Sequence, residues 1–309
     1  MRFKGLFSER SAWAQLLLLL LFVLTGAFLA SFIGLGLFFL IYGFNADMYQ
    51  HIDMLRFIQF ISAIGTFILP TIGIAWLCSE KPKQYLYFEK PPRLLSLLLA
   101  FACLFLIMPT INLAEILNRQ MILPDFLAPV ETWMKEKEES ATRLTELFLS
   151  ENNLLSLLAN LLVIAATAAI GEEMFFRGAL QRIIGKWSKN PHLIIWSVAI
   201  LFSAFHLQFY GFLPRMLLGA FFGYLVYWSK NIWLPIFAHF MNNALAVITL
   251  SNTELKENHY MTGDLSQQEI IPYTIVAILF LGLFVMVVKK LRQRLDREEK
   301  ETKNLSFEE

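Results

Sequence analysis

The sequence predicts an all-α protein that crosses a membrane several times, on the grounds of its composition and the length of its apolar segments. Of its 309 residues, 57% are hydrophobic and 17% are charged, and the mean hydropathy is +0.55. A soluble core cannot hide that much apolar surface, so most of the chain must face lipid. The apolar windows are about 18–25 residues long, the length a helix needs to cross a hydrocarbon layer of about 30 Å. They lack the period-two alternation and the shorter segments typical of membrane β-barrels.

Eight such windows predict about eight transmembrane helices. They lie at residues 12–42, 56–78, 93–113, 154–176, 192–208, 212–229, 232–250 and 271–288. Basic residues collect on the cytoplasmic side of short loops. In this chain they precede the first window, follow the last one and occupy alternate connections, at Arg2, Lys4, Arg10, Lys81, Lys83, Lys90, Arg93, Arg182, Lys186, Lys189, Lys289, Lys290, Arg292 and Arg294. Eight spans with both termini in the cytoplasm fit this alternation.

The one long connection, residues 115–152, contains Pro124 and Pro129. After these prolines, the stretch from Glu131 to Leu149 mixes apolar and charged residues, which predicts a helix lying along the outer membrane surface. No internal repeat divides the chain, and residues 1–309 are therefore predicted to form a single transmembrane domain.

The fourth window contains three ionisable side chains, Glu172, Glu173 and Arg177. At the centre of a membrane helix each costs about 2.5–3.5 kcal/mol, so such a cluster indicates a functional site. Glu173 and Arg177 are four residues apart on one helix face and are expected to pair, whereas Glu172 lies about 100° away and is the candidate for chemistry. The alternative is that the two glutamates end the helix at the headgroup region, with Arg177 reaching towards the cytoplasm.

Three further polar side chains lie in other windows. His206 ends the stretch Phe202-Ser203-Ala204-Phe205-His206, and His239 and Asn243 stand four residues apart on one face of the seventh window. A lone histidine such as His206 is also typical of an interfacial residue that bonds to a neighbouring helix. Together with Glu172, however, these groups favour a functional site, because an imidazole and a carboxamide offer ligands, acceptors and donors.

Two hydrolytic mechanisms fit these groups. In the first, Glu172, His206 and His239 hold a divalent metal such as zinc, which activates a bound water. In the second, Glu172 with His206 deprotonates water directly, while His239 and Asn243 donate hydrogen bonds to the oxyanion. The soluble zinc-protease motif His-Glu-x-x-His is absent from the sequence, so a metal site would have to be assembled between helices.

The motifs resemble those of a known family. Glu172-Glu173-x-x-x-Arg177, Phe202-x-x-x-His206 and His239-x-x-x-Asn243 follow one another within about residues 154–250. In this order they are similar to the CAAX protease and bacteriocin-processing (CPBP, Abi) family of intramembrane endopeptidases. The three motifs together are specific, and they cover about a third of the chain, the catalytic-motif core.

The resemblance implies a role for each motif residue. Glu172 would be the carboxylate that activates water and His206 its partner. Glu173 and Arg177 would support the site structurally. His239 and Asn243 would bind a metal or stabilise the oxyanion.

The expected function is therefore hydrolysis of a peptide bond in a membrane-associated or lipidated protein or peptide, by an integral multi-pass protein of a bacterial cytoplasmic membrane. Two alternatives remain. One is a non-catalytic scaffold or bacteriocin-immunity protein that binds a partner peptide, and the other is a proton-coupled transporter, for which no inverted repeat is evident. Nucleic acid is not an expected partner, since the few basic residues of each loop are accounted for by topology.

Overall fold

The computed structural model describes residues 3–151, 153–258 and 265–305, and no residue in these ranges lies in a β-strand. Nine helices of more than ten residues make up most of this part of the chain. They are α1 (Ala12–Tyr42), α2 (Ile52–Cys78), α3 (Leu94–Arg119), α4 (Ala128–Phe148), α5 (Leu154–Ile184), α6 (Pro191–Phe205), α7 (Phe212–Ser229), α8 (Trp233–Ser251) and α9 (Gln267–Leu305).

Seven of the described helices are long and apolar enough to cross a membrane: α1, α2, α3, α5, α7, α8 and α9. The prediction of an all-α, integral multi-pass membrane protein is thereby confirmed. The fifth predicted span, at residues 192–208, corresponds to α6, whose 15 residues extend about 22 Å, less than the hydrocarbon thickness. α6 stops early because Leu207 has a φ of 54°, a left-handed conformation that a right-handed helix cannot contain. The cytoplasmic location of both termini stays a prediction.

The helix predicted between Glu131 and Leu149 is confirmed as α4. Most of its charged side chains are exposed, whereas Met134 and Phe148 are buried. Its place on the outer membrane surface stays a prediction.

The helices are grouped into two compact units, each assembled from separate stretches of the chain. The first comprises Met1–Lys90, Leu144–Ile194 and His239–Ser251, and the second comprises Pro91–Arg143, Ile195–Ala238 and Asn252–Glu309. The single domain of residues 1–309 stays a prediction.

In the first unit, α1 and α2 cross where neither helix carries a side chain. A Cβ atom on Gly26 would lie 2.0 Å from the carbonyl oxygen of Gly65, and one on Gly65 would lie 2.6 Å from that of Gly26. Beside this crossing α2 widens into a π turn at Ile64–Ile68, just ahead of Pro70. Proline has no N–H and clashes with the carbonyl four residues earlier, and the wider turn relieves both problems.

A buried arginine ties the start of α5 to α2 in the same unit. Arg56, 4% exposed, donates from Nε to Asn160 Oδ1 (3.0 Å), from Nη1 to Asp53 Oδ1 (2.8 Å) and Glu151 Oε2 (2.9 Å), and from Nη2 to the Phe148 carbonyl (2.9 Å). Each partner is an acceptor, so the buried charge is well compensated. This network fixes the N-terminal end of the helix that carries the two site glutamates.

Glu151 makes part of this network sensitive to pH. Hydrogen bonds from Ser156 and Arg56 lower the pKa of the Glu151 carboxyl. A lowered folded-state pKa gives stabilisation that is present above the unfolded pKa of about 4.3 and is lost as pH falls through the folded pKa. We expect the Tm of the wild type to fall more steeply below about pH 4.3 than that of Glu151→Gln, as measured by thermal unfolding in detergent. Parallel curves would show that Glu151 contributes nothing in this pH range.

In the second unit, polar pairs join α3 to α9. Ser96 Oγ donates to Glu298 Oε1 (2.8 Å), and Asn112 Nδ2 donates to Tyr273 Oη (2.9 Å). Ser96 is fully buried, so its hydroxyl needs such a partner. The two pairs lie near opposite ends of α9 and set the register of the two helices.

Candidate active site

The two adjacent glutamates lie on an irregular part of α5. A short α-helical segment, Ala168–Glu173, is flanked by π turns at Leu161–Thr167 and Met174–Leu180. In a π turn the hydrogen bonds run from residue i to i+5, so each one rotates the side chains that follow relative to an ordinary helix. π turns are rare and are found frequently at functional sites.

Glycine brings this segment of α5 close to α2. A Cβ on Gly171 would lie 3.1 Å from Phe67 Cβ, in the π turn of α2. Small residues at helix crossings allow such close approach in membranes. The backbone immediately before Glu172 is thus held against α2, which limits how far the carboxylate can move.

The predicted pair between Glu173 and Arg177 is confirmed. Arg177 Nη1 donates to Glu173 Oε1 at 2.8 Å, and both side chains are 0% exposed. The alternative in which the glutamates end the helix is wrong, because α5 continues to Ile184. Two opposite charges within a hydrogen-bonded pair can be buried at far lower cost than either alone.

His239 of α8 bonds to the same carboxylate. Its Nδ1 lies 2.8 Å from Glu173 Oε1, and because an ionised carboxylate only accepts hydrogen bonds, Nδ1 carries the proton. Nε2 of the ring then faces Glu172, whose Oε2 lies 3.9 Å away. Glu173 therefore orients His239, in the way that carboxylates orient histidines in many hydrolytic sites.

The gap between Glu172 and His239 has the size of a water site. The distance of 3.9 Å is too long for a direct hydrogen bond, but a water about 2.8 Å from each atom spans it. The exposed fractions of the two side chains are 13% for Glu172 and 5% for His239. A water bound there would touch a potential base on one side and an imidazole on the other.

Asn243 follows one helical turn after His239, on the same face of α8. Its Nδ2 donates to the carbonyl oxygen of Ile164 (3.2 Å), which lies in the first π turn of α5, and its Oδ1 accepts from Asn242 Nδ2 (3.2 Å). The carboxamide carries two hydrogens on Nδ2. Asn243 is thus anchored beside the π turn through one hydrogen and has a second to donate.

His206 lies in the second unit, directly after the last residue of α6. Its Nδ1 is 2.9 Å from the carbonyl oxygen of Phe202, and its ring packs edge-on against the Phe202 ring with centroids 5.1 Å apart. Because a carbonyl accepts only, Nδ1 carries the proton and Nε2 of the neutral ring keeps its lone pair. That nitrogen has the form that a base or a metal ligand requires.

The structure thus brings together Glu172, Glu173, Arg177, His239 and Asn243 within the first unit. The joint placement of His206 with them stays a prediction. Sequence reasoning missed Gly171, although a glycine beside two membrane carboxylates is itself a signal of close helix approach. It also missed the Ile164 carbonyl, which no side-chain pattern can indicate.

In residues 3–151, 153–258 and 265–305, the ligands of a zinc ion would have to come from His, Cys, Asp or Glu side chains. Within these ranges no group of three or more His, Cys, Asp or Glu side chains is placed to hold a metal. In the first unit, His239 Nε2 and Glu172 Oε2 are 3.9 Å apart, whereas ligand bonds of about 2.1 Å at tetrahedral angles put two ligand atoms about 3.4 Å apart. The arrangement as it stands therefore offers two ligand atoms and does not complete a zinc site.

Comparison with known proteins places this segment in context. Residues 154–245 match the family model described as Rce1-like, type II CAAX prenyl endopeptidase. The chain is also 30% identical over 81 residues to YpbD, an uncharacterized protein of Bacillus subtilis (strain 168). That similarity covers 25% of this chain and 38% of YpbD. No solved structure matches the chain significantly.

The matched segment runs from the start of α5 into α8 and contains all the predicted site residues, whose fit to the CAAX protease motifs was noted from the sequence. The predicted resemblance is therefore confirmed for the part of the chain that carries the site: residues 154–245 are similar to the Rce1-like type II CAAX prenyl endopeptidases.

Proposed function

We propose that the protein is an intramembrane endopeptidase that hydrolyses a peptide bond of a membrane-associated or lipidated protein or peptide. The observation that carries the proposal is the largely buried approach of Glu172 Oε2 to His239 Nε2, 3.9 Å apart, with His239 oriented by Glu173. The similarity of residues 154–245 to CAAX prenyl endopeptidases supports the reaction class. A bacterial cytoplasmic membrane is the proposed location.

In the proposed reaction Glu172 is the general base. A water beside Glu172 loses a proton to its carboxylate as the water oxygen attacks the scissile carbonyl carbon. The protonated Glu172 then returns this proton to the leaving amine as the C–N bond breaks. His206, with its Nε2 lone pair, accepts a hydrogen bond from the same water and helps to orient it.

His239 and Asn243 stabilise the oxyanion in this proposal. Because Nδ1–H of His239 is donated to Glu173, its Nε2 can donate to an oxyanion only when the ring is protonated. Two carboxylates, Glu172 and Glu173, lie beside the two ring nitrogens. Asn243 contributes its second Nδ2 hydrogen, and preorganised donors of this kind are worth about 2.7–4 kcal/mol each.

A metal remains a separate part of the proposal. Glu172, His239 and His206 are the residues that would hold zinc, which when bound lowers the pKa of its water to about 7. Metal content measured by mass spectrometry on purified wild type and on His239→Ala tests this part. One zinc per chain in the wild type and none in the variant would support the metal route, in which Glu172 is a ligand and not the general base, and equal, substoichiometric content in both would support the metal-free route.

The proposed activity is tested by replacing Glu172 with glutamine. We expect Glu172→Gln to lower kcat by about 10²–10⁴-fold, the contribution of a general base, while the near-identical shape of glutamine preserves the fold. The substrates are a peptide library that includes prenylated peptides with CaaX ends, with and without a chelator. Glu115→Gln, in a partly exposed pair on α3, is the matched control and should retain activity.

The outcomes separate the alternatives. Cleavage that survives in Glu172→Gln would remove Glu172 from the mechanism. A well-folded wild type that cleaves no peptide but still binds one would favour the scaffold or immunity protein. Proton-coupled uptake by vesicles containing the protein would favour a transporter.

A further inference from the structure

The backbone that carries His206 is not held by α6 alone. The helix ends at Phe205, His206 follows it, and Leu207 adopts the left-handed φ of 54° while its side chain is 44% exposed. A leucine is rarely found in this conformation, which persists only where the surrounding structure imposes it. Contacts with residues outside this connection therefore hold the segment from His206 to Leu213 in place.

An arginine of α7 forms hydrogen bonds with this connection two residues after the histidine. Arg215 donates from Nη1 to the carbonyl oxygen of Gln208 (2.8 Å) and from Nη2 to its side-chain Oε1 (2.9 Å). The fork of the guanidinium thus holds both the backbone and the side chain of one residue. A Cβ on Gly211 would lie 2.6 Å from Arg215 Nη1, so the glycine is what leaves room for this contact.

An asparagine of α3 holds the same connection further along. Asn118 is 0% exposed, donates from Nδ2 to the Phe209 carbonyl (2.8 Å) and accepts at Oδ1 from the Leu213 N–H (2.7 Å). Ser203 Oγ adds a hydrogen bond to the Phe212 carbonyl (2.7 Å). Breaking such a buried hydrogen bond costs free energy, because the remaining donor or acceptor is left without a partner and out of reach of water.

A carboxylate of α4 contacts the same glutamine that Arg215 binds. Glu138 of α4 accepts a hydrogen bond at Oε1 from Gln208 Nε2 (3.3 Å). Gln208 therefore stands between the carboxylate of Glu138 and the guanidinium of Arg215, bonded to each. All of these residues lie in the second unit with His206.

We propose that Arg215 and Asn118 are positioning residues for His206: they hold the 206–213 connection in the conformation that presents the imidazole Nε2. The inference rests on the proposed function for the meaning of His206, but the geometry of the connection is independent of it. Neither residue is expected to touch the reacting atoms. Loss of either should therefore alter turnover and the environment of His206 without altering substrate binding.

The test combines a chemical probe with kinetics on the full-length protein in detergent. Diethyl pyrocarbonate modifies unprotonated imidazole, and mass spectrometry of peptides gives a rate for each histidine. We expect Arg215→Met and Asn118→Ala to change the rate at His206 at least fivefold while the rate at His192 stays within twofold. On a peptide that the wild type cleaves, kcat should fall at least tenfold with KM within threefold.

Matched variants separate positioning from general damage. Arg119→Met removes an exposed arginine of α3 that pairs with Glu115, and Asn112→Ala removes an asparagine of the same helix that bonds to Tyr273; both should leave the His206 rate within twofold. Arg215→Lys should give an intermediate rate, because lysine can restore one of the two bonds to Gln208. If Arg215→Met does not fold, Gln208→Met removes the side-chain acceptor of Arg215 together with the donor to Glu138, leaves the backbone acceptor in place, and should still change the His206 rate at least twofold.

The kinetic measurement and the modification rates test different parts of the proposal. If the wild type cleaves no peptide, the proposed function is wrong, yet the His206 modification rates still decide whether Arg215 and Asn118 position this residue. If Arg215→Met and Asn118→Ala fold and leave both the His206 rate and kcat within twofold of wild type, the positioning role is overturned.

Discussion

Replacing Arg177 with methionine is expected to lower the free energy of unfolding by about 3–5 kcal/mol, because it leaves the fully buried Glu173 carboxylate without its cationic partner. Arg177 and Glu173 are both 0% exposed and joined at 2.8 Å. A loss of this size is a large fraction of the stability of most domains. The measurement is reversible unfolding in mixed micelles, followed by far-ultraviolet circular dichroism.

Arg119→Met is the matched control for burial. Arg119 pairs with Glu115 at 2.7 Å with the same i,i+4 spacing, but its side chain is 53% exposed. An exposed pair contributes about 0–1 kcal/mol, so the control should change stability little.

The double variant Glu173→Gln/Arg177→Met sharpens this prediction. It removes both charges, and it should recover at least about 1.5 kcal/mol relative to Arg177→Met because no uncompensated charge remains buried. His239 keeps an acceptor for its Nδ1–H in the glutamine carbonyl. A double variant as unstable as the single one would mean that Arg177 acts by packing rather than by charge.

The second large effect is expected at the crossing of α1 and α2. Gly65→Ala would put a Cβ 2.6 Å from the Gly26 carbonyl oxygen and 2.7 Å from Ala30 Cβ. Both neighbours are fixed parts of α1, a backbone oxygen and a Cβ atom, and cannot rotate away, so the helices must separate. We expect a loss of about 1–3 kcal/mol, measured by the same unfolding experiment.

The same substitution at another glycine of α1 should have the opposite sign. No atom lies within 4 Å of the Cβ position on Gly36. Gly36→Ala should therefore be neutral or stabilising by up to about 1 kcal/mol, since alanine favours helix more than glycine. Destabilisation of equal size at Gly36 and Gly65 would show that the effect comes from glycine itself and not from the crossing.

The substitution Gly65→Ala is expected to affect activity as well as stability. The π turn of α2 contains both Gly65 and Phe67, and Phe67 packs against Gly171, the residue before Glu172. A shift of α2 therefore moves the support of the proposed base. We expect Gly65→Ala to lower kcat as well as stability, and Gly36→Ala to leave kcat unchanged.

The sequence was sufficient for the all-helical membrane fold and for the pair between Glu173 and Arg177. Both follow from regular spacing: apolar windows long enough for a bilayer, and the i,i+4 neighbours of a helix. The helix α4 was also predictable, because a mixture of apolar and charged residues persists along this part of the chain. The family similarity of residues 154–245 rested on three short motifs that the sequence displays directly.

The residue at which α6 ends could not be predicted from the sequence. The apolar window continues to residue 208, but the helix ends at Phe205 because Leu207 is left-handed, and the connection that follows is bound by Arg215 and Asn118 from other helices. Apolar composition measures affinity for lipid and does not register where a backbone leaves the helix.

By itself, then, the sequence determined which side chains are chemically able to act and which helices carry them, since residue type and local spacing are properties of the chain alone. Only the tertiary structure decided that Glu173 serves Arg177 and His239 at once and that Glu172 faces the other ring nitrogen of His239. The contact between Glu173 and His239 joins residues 66 positions apart, and it depends on how α5 and α8 pack together. Its energy arises from packing between helices, which no local pattern in the sequence encodes.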